Sequence, residues 1–352
     1  MKRFLSILLC ATLVITACSC KNKKTVSIDL SDSTTSKTSS SNFATSSEIT
    51  VSESPSSNTK TSSKTHSELL TTSKTDSISS MVQTSSQNAQ SELQKNEVVD
   101  SIQLFNYTVN DPNNLRGLST EKKGYSFGIA KDGKPHSQSV INQNTFDSFE
   151  NVSALALDNK STEKVMYLTF DNGYEYENLT ADILDTLKEK GVKAAFFITM
   201  SYAKSNKALV QRMIDEGHIV GNHSTNHPSF PSLSRTQMAE EIANLDNYLR
   251  ETFGYTSPYF RFPAGEYSEC SLELVTSIGF RSVFWSVAYA DWDTSNQKGT
   301  DFAYNTVTSR FHPGAVILLH AVSKDNAAAL GSMIDFAVSQ GYTFKTLDNY
   351  FG

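Results

Sequence analysis

Cysteine is scarce in this 352-residue chain. Of its four cysteines, Cys10, Cys18 and Cys20 crowd into the first twenty residues and only Cys270 falls in the region able to fold. No disulfide can therefore form within that region, and an isolated cysteine is ordinarily a small buried hydrophobe. Basic excess is lacking too: the formal net charge is −6, which leaves no electrostatic footprint for nucleic acid. Aromatic residues almost vanish between about 25 and 97, where 30 of the 50 residues from Ser31 to Ser80 are Ser or Thr. With so little to bury, no core can form there. The apolar run from Phe4 to Ala17 is too short to span a bilayer comfortably; preceded by Lys2 and Arg3, it has the shape of a secretory signal. No internal repeat and no separate carbohydrate-binding module are evident.

That run ends in Ile15-Thr16-Ala17-Cys18, which resembles the lipobox of bacterial lipoproteins, whose cysteine becomes the diacylated first residue of the mature chain. Cys20 fits the pattern less well. The expected organisation is a lipoprotein signal peptide over 1–17, lipidation at Cys18, a disordered Ser/Thr-rich tether over 18–97, an irregular N-terminal extension over 98–160 and the main domain over 161–352. As a coil, the tether would reach about 50 Å root-mean-square. Such a chain is expected outside the cytoplasm, lipid-anchored to the outer face of a bacterial membrane, with its domain acting as a monomer.

The residues from 98 onward suffice for one large domain with a full core. Short, nearly continuous apolar runs alternate there with amphipathic helices, the pattern of a parallel sheet buried on both faces. Strands are predicted at Val165–Phe170, Ala194–Thr199, His218–Gly221, Tyr259–Phe262, Ser282–Ser286, Ala315–Leu319 and Tyr342–Thr346. A helix near 179–190 presents Leu179, Ile183, Leu184 and Leu187 on one face, with Gly191 placed as its C-terminal cap. Another, near 235–251, opens on the capping box Ser234/Gln237. The fold class is α/β, a deformed barrel of about seven β/α units, and in barrels chemistry collects at the carboxyl ends of the strands. Asp171, His223, Arg261, Asp291 and His320 all stand at or just after the carboxyl ends of predicted strands.

Each stretch has a plain reading when taken alone. In "LTFDNGYE", 168–175, Asp171-Asn172-Gly173 is a strong turn signal. In "GNHSTNHP", 221–228, His223 and His227 are spaced i, i+4, which on a helix would stack both imidazoles on one face as a divalent metal requires. They could equally be two surface histidines. His136, His218 and His312 read as structural.

The set as a whole resembles a known family. "TFDNG", "HSTNH", "RFPAG", "DW" and "LLH" occur in the order and rough spacing of the five motifs of the NodB-homology polysaccharide deacetylases, carbohydrate esterase family four. The resemblance covers about residues 163–348. "TFDNGYE" and the "HPG…LLHA-SKDNA" ending across 312–327 are closer still to one subgroup, the peptidoglycan de-N-acetylases that act on N-acetylmuramic acid in muramic δ-lactam formation.

This resemblance implies a metal-dependent hydrolase of peptidoglycan glycan strands. It makes His223 and His227 metal ligands, Asp171 the general base, Arg261 its partner, His320 the general acid and Asp291 the partner of that histidine. Trp292 and Leu318 would wall the acetyl pocket, and the Ala264 backbone N–H would help to stabilise the oxyanion. The implied cofactor is a divalent cation, zinc first, with cobalt or manganese as alternatives. Asn172 stands where most of the wider family has a ligating Asp; its neutral carbonyl oxygen is a poorer ligand for a transition metal. The rival readings are a peptidoglycan N-acetylglucosamine deacetylase, an O-acetyl esterase of plant polysaccharide and a non-catalytic sugar-binding lipoprotein. Pure binding would need neither Asp171 nor His320.

Overall fold

The computed structural model describes residues 100–352. The signal sequence, Cys18 and the Ser/Thr-rich tether lie outside the described residues. Within them the strands run β1 (Ser101–Leu104), β2 (Tyr107–Asn110), β3 (Lys123–Gly124), β4 (Ala154–Leu155), β5 (Val165–Asn172), β6 (Ala195–Ile198), β7 (Ile219–Asn222), β8 (Tyr259–Phe260), β9 (Glu266–Tyr267), β10 (Arg281–Val283), β11 (Ala315–His320) and β12 (Thr343–Phe344). Eight form one parallel sheet in the order β11-β5-β6-β7-β8-β10-β4, with β12 also on β5. The chain leaving β10 then reaches back to β11: Val287 N–H donates to Val316 O, and Leu318 N–H to Val287 O at 2.8 Å. This seam curls the sheet into the deformed barrel expected.

Alternation along β5 sorts its side chains between two cores. Val165 and Tyr167 join Phe197, Ile219, Tyr259 and Val316 in the barrel interior, whereas Met166, Leu168 and Phe170 pack against the surrounding helices. By the same parity Thr169 and Asp171 face inward, and Asn172 faces the helix layer. The two predicted helices are present. Leu179–Lys190 buries Ile183, Leu184 and Leu187 and ends on Gly191, whose left-handed φ of 66° lets its N–H cap two carbonyls. Arg235–Phe253 opens on the Ser234/Gln237 capping box and buries Met238, Ile242, Leu245 and Leu249.

Within the expected extension 98–160, the described residues, 100–160, have more regular structure than their turn-rich sequence suggests. They contribute the β1–β2 hairpin, a helix at Ser137–Asp147 and β4 at an edge of the main sheet. Gln143, on that helix, secures β4: its Oε1 accepts from Ala156 N at 2.6 Å, and its Nε2 donates to Ala154 O at 3.1 Å.

Candidate active site

The carboxyl ends of the strands open into a cavity of about 1150 Å³ lined in part by Asp171, His223, His227, Ala264, Trp292, Leu318 and His320. Arg261, Asp291 and Asn172 stand behind this lining, fully or almost fully buried.

The first charged pair comes from β5 and the residue after β8. Arg261 Nη1 donates to Asp171 Oδ1 at 2.7 Å. The guanidinium cannot wander, because it also donates to Thr169 Oγ1 and Val283 O, both at 2.9 Å, and lies 4.2 Å from the centroid of the Phe197 ring. Burial opposes ionisation of Asp171, but the Arg261 guanidinium, foremost among its basic neighbours, outweighs it and holds the carboxyl below its usual value. With Oδ1 committed to Arg261, Oδ2 remains toward His223, whose Nε2 is 3.6 Å away.

His223 donates its Nδ1–H to the Arg261 carbonyl at 2.9 Å, which fixes the tautomer and leaves a lone pair on Nε2. Burial pushes its pKa down to about 4, keeping the ring neutral. A neutral imidazole lone pair therefore faces a carboxylate oxygen with no proton between them, an arrangement a cation relieves. His227 supplies a second imidazole, its ring centroid 4.8 Å from that of His223. No helix places them so. The segment is a loop in which Ser224 (φ 70°) and His227 (φ 57°) are both left-handed, and Ser224 Oγ accepts from His227 N at 2.9 Å. The helical stacking expected from the spacing is thus replaced by a turn that brings the rings edge to face.

Among the described residues no three His, Cys, Asp or Glu side chains form a metal cage. The donors that face one another are instead the two imidazoles, with their ring centroids 4.8 Å apart, beside Asp171 Oδ2. Asn172 is fully buried, its Nδ2 donates to Thr180 Oγ1 at 3.2 Å, and its Oδ1 has no hydrogen-bond partner.

The second charged pair spans β11 and the loop after β10. Asp291 accepts from His320 twice, from Nδ1 at 2.7 Å and from the backbone N at 2.8 Å, and also accepts from Asn326 Nδ2. Burial lowers the tendency of His320 to ionise, yet Asp291, aided by Asp171, outweighs it and raises the ring above its ordinary value. Nε2 is then free to hold a proton toward the cavity. The ring of Trp292, 56% exposed, sits 5.8 Å from that of His320 at the cavity rim, and Leu318 forms part of the floor. Ala264 also lines the cavity, in a left-handed conformation (φ 53°) beside Gly265 (φ 65°). A Cβ on Gly265 would meet the Trp285 ring at 2.9 Å, so this tight turn needs glycine there.

A polysaccharide deacetylase profile matches residues 158–283. The peptidoglycan-N-acetylmuramic acid deacetylase PdaA of Bacillus subtilis is 44% identical over 188 residues, 53% of this chain and 71% of that protein. The chain belongs to the polysaccharide deacetylase family. The peptidoglycan-N-acetylglucosamine deacetylase PgdA of Listeria monocytogenes is 34% identical over 191 residues, 54% of this chain and 40% of its own length. The solved structure of B. subtilis PdaA, a family 4 carbohydrate esterase, superposes with a TM-score of 0.60 at 37% identity, covering 66% of this chain and 97% of that one.

Several residues of this deacetylase's cavity carried no signal in the sequence. Phe127 comes from the N-terminal stretch and Trp285 from the loop after β10, and together they line one wall. Thr169 and Asn326 hold the two charged pairs from behind, and Tyr289 in turn donates to Asn326 Oδ1 at 2.7 Å. Asn326 lies in the "SKDNA" stretch, so the motif was visible while its role as support for Asp291 was not. His312, read as structural, is buried between the Pro313 carbonyl and the Ser286 hydroxyl.

Proposed function

We propose that the protein removes N-acetyl groups from amino sugars of peptidoglycan, with N-acetylmuramic acid as the preferred residue, while lipid-anchored through Cys18 outside the cell membrane. The observation that carries this reading is the two charged pairs at one cavity, Asp171 with Arg261 and His320 with Asp291, each at 2.7 Å, which shift the carboxyl toward its ionised form and the imidazole toward its protonated form. Hydrolysis of an amide needs both: a base to activate water and an acid to release an amine. The similarity to PdaA, together with the resemblance of "TFDNGYE" and the "SKDNA" ending to the muramic acid subgroup, supports the choice of sugar.

A divalent metal, zinc first, would be held by His223 and His227 with Asn172 Oδ1 as a further donor, and would supply Lewis acidity toward the acetamide carbonyl and the attacking water. The remaining work falls to the chain itself. Asp171 Oδ2 takes a proton from water as its oxygen bonds to the acetyl carbon. The Ala264 backbone N–H faces the charge that develops on the carbonyl oxygen. His320 gives its Nε2 proton to the departing nitrogen as the C–N bond breaks, leaving acetate and a free amine. Trp292 and Leu318 pack against the acetyl methyl and keep bulk water from it.

The test is mass spectrometry of muropeptides after the protein is incubated with acetylated glycan strands, with and without peptide stems. Loss of one acetyl mass per muramic residue is the expected result. Loss confined to glucosamine residues would favour the N-acetylglucosamine reading, and no loss on any glycan would overturn both.

A further inference from the structure

The stretch "DNGYE" contains a glutamate that the proposed mechanism does not use. Glu175 accepts from the Thr180 backbone N at 3.1 Å, from the Thr180 hydroxyl at 2.5 Å and from the Tyr202 hydroxyl at 3.0 Å. Thr180 and Tyr202 are fully or almost fully buried on the helix side of the sheet, at the start of Leu179–Lys190 and in the helix Met200–Ser205. A serine or threonine hydroxyl has one proton, and here the shortest contact commits it to Glu175. What Thr180 Oγ1 can offer to residue 172 is therefore a lone pair.

This has a chemical consequence at the end of β5. Asn172 can meet that lone pair only with its NH2, which it does at 3.2 Å. The reversed amide would set oxygen against oxygen. The carboxamide is locked in one orientation, and its Oδ1 is the atom left buried without a partner. An aspartate at 172 would face the same lone pair with a carboxylate oxygen, and Glu175 would stand as a second negative charge just beyond it. We propose that Glu175, acting through Thr180, is the positioning group that makes position 172 an asparagine site and presents Asn172 Oδ1 as a neutral metal donor. The inference rests on the metal reading given above for its second half, but not for the lock itself.

Two measurements separate those halves. The first is a double-mutant cycle of thermal stability on the metal-free protein with Asn172→Asp, Glu175→Gln and the pair. Asn172→Asp is expected to lower the melting temperature, and adding Glu175→Gln to it should recover part of the loss, although Glu175→Gln alone lowers the melting temperature of the wild type. Additive effects would overturn the lock, whether or not a metal binds. The second is affinity for Zn²⁺ and Co²⁺ by calorimetry, read without turnover. Thr180→Val and Glu175→Gln should each weaken binding by about 10- to 100-fold, as loss of the support behind a metal ligand does, and Thr180→Ser should restore it. Unchanged affinity in folded Thr180→Val would overturn the presentation of Oδ1. A wild-type protein that binds neither ion would overturn the metal reading, leaving the lock to be judged by the cycle.

Discussion

The two carboxylates of the site, Asp171 at the cavity and Asp291 behind it, differ in what surrounds them, and so should their variants. Asp171 keeps Oδ1 on Arg261 and has only Oδ2 for chemistry. Asp171→Asn keeps the shape and removes the base, so kcat/KM should fall by on the order of 10²-fold or more with the fold retained. His223→Ala or His227→Ala should remove most activity together with metal occupancy, measured by elemental analysis. Full turnover in verified metal-free protein would sink the metal reading. Asp291 acts through His320, and there the sign is open to test by pH. Because the folded ring titrates above its ordinary value near 6.5, the general acid stays protonated past that value and the basic limb of the rate profile lies above it. The same shift contributes stability that is fully present below pH 6.5 and lost as pH rises through the folded value. Asp291→Asn should therefore move the basic limb down, and it should cost more melting temperature at pH 5 than at pH 9. A basic limb that stays in place would mean that Asp291 does not set the protonation of His320.

Between elements, the site depends on close packing beneath it. Gly221 on β7 lies against the Phe197 ring of β6, and a Cβ added there would meet ring atoms at 2.6 Å. Phe197 in turn stacks under the Arg261 guanidinium. Gly221→Ala should push the ring toward Arg261, costing about 1–3 kcal/mol by overpacking and lowering kcat more than a similar methyl added elsewhere in the core. An unchanged kcat with lowered stability would show that the Arg261–Asp171 pair tolerates the shift. What could be read from the sequence follows from element length. β5, β6 and β11 are buried on both faces and read as continuous apolar runs; β4, with two residues, left no period to detect. The histidine pair was legible as a pair but not as a turn, because two non-glycine residues with positive φ leave no compositional mark. Asn172 was harder still. Ending the predicted strand at Phe170 hid the parity that sends Asp171 into the barrel and Asn172 toward Thr180. The strand runs two residues further, and those two residues carry opposite tasks.

At the scale of the whole molecule, the cavity and the N-terminal sequence point to the same setting. Among the described residues no helix is long and apolar enough to cross a membrane; the attachment proposed above is through Cys18. A tether with a reach of about 50 Å would confine the catalytic domain to a thin layer over the membrane. That confinement would raise the effective concentration of the enzyme toward the glycan nearest the membrane without any new contact. Catalysis and placement should therefore be separable in the full chain. Cys18→Ala is predicted to leave kcat/KM on soluble acetylated glycan oligomers unchanged, because among the described residues none that lines the cavity lies before Phe127. The same variant should lose fatty-acid labelling, appear in the medium and deacetylate less of the wall in intact cells. Continued incorporation of a labelled fatty acid into Cys18→Ala would show the anchor to be misassigned. A fall in kcat/KM on soluble oligomers would show that the N-terminal segment takes part in the chemistry itself.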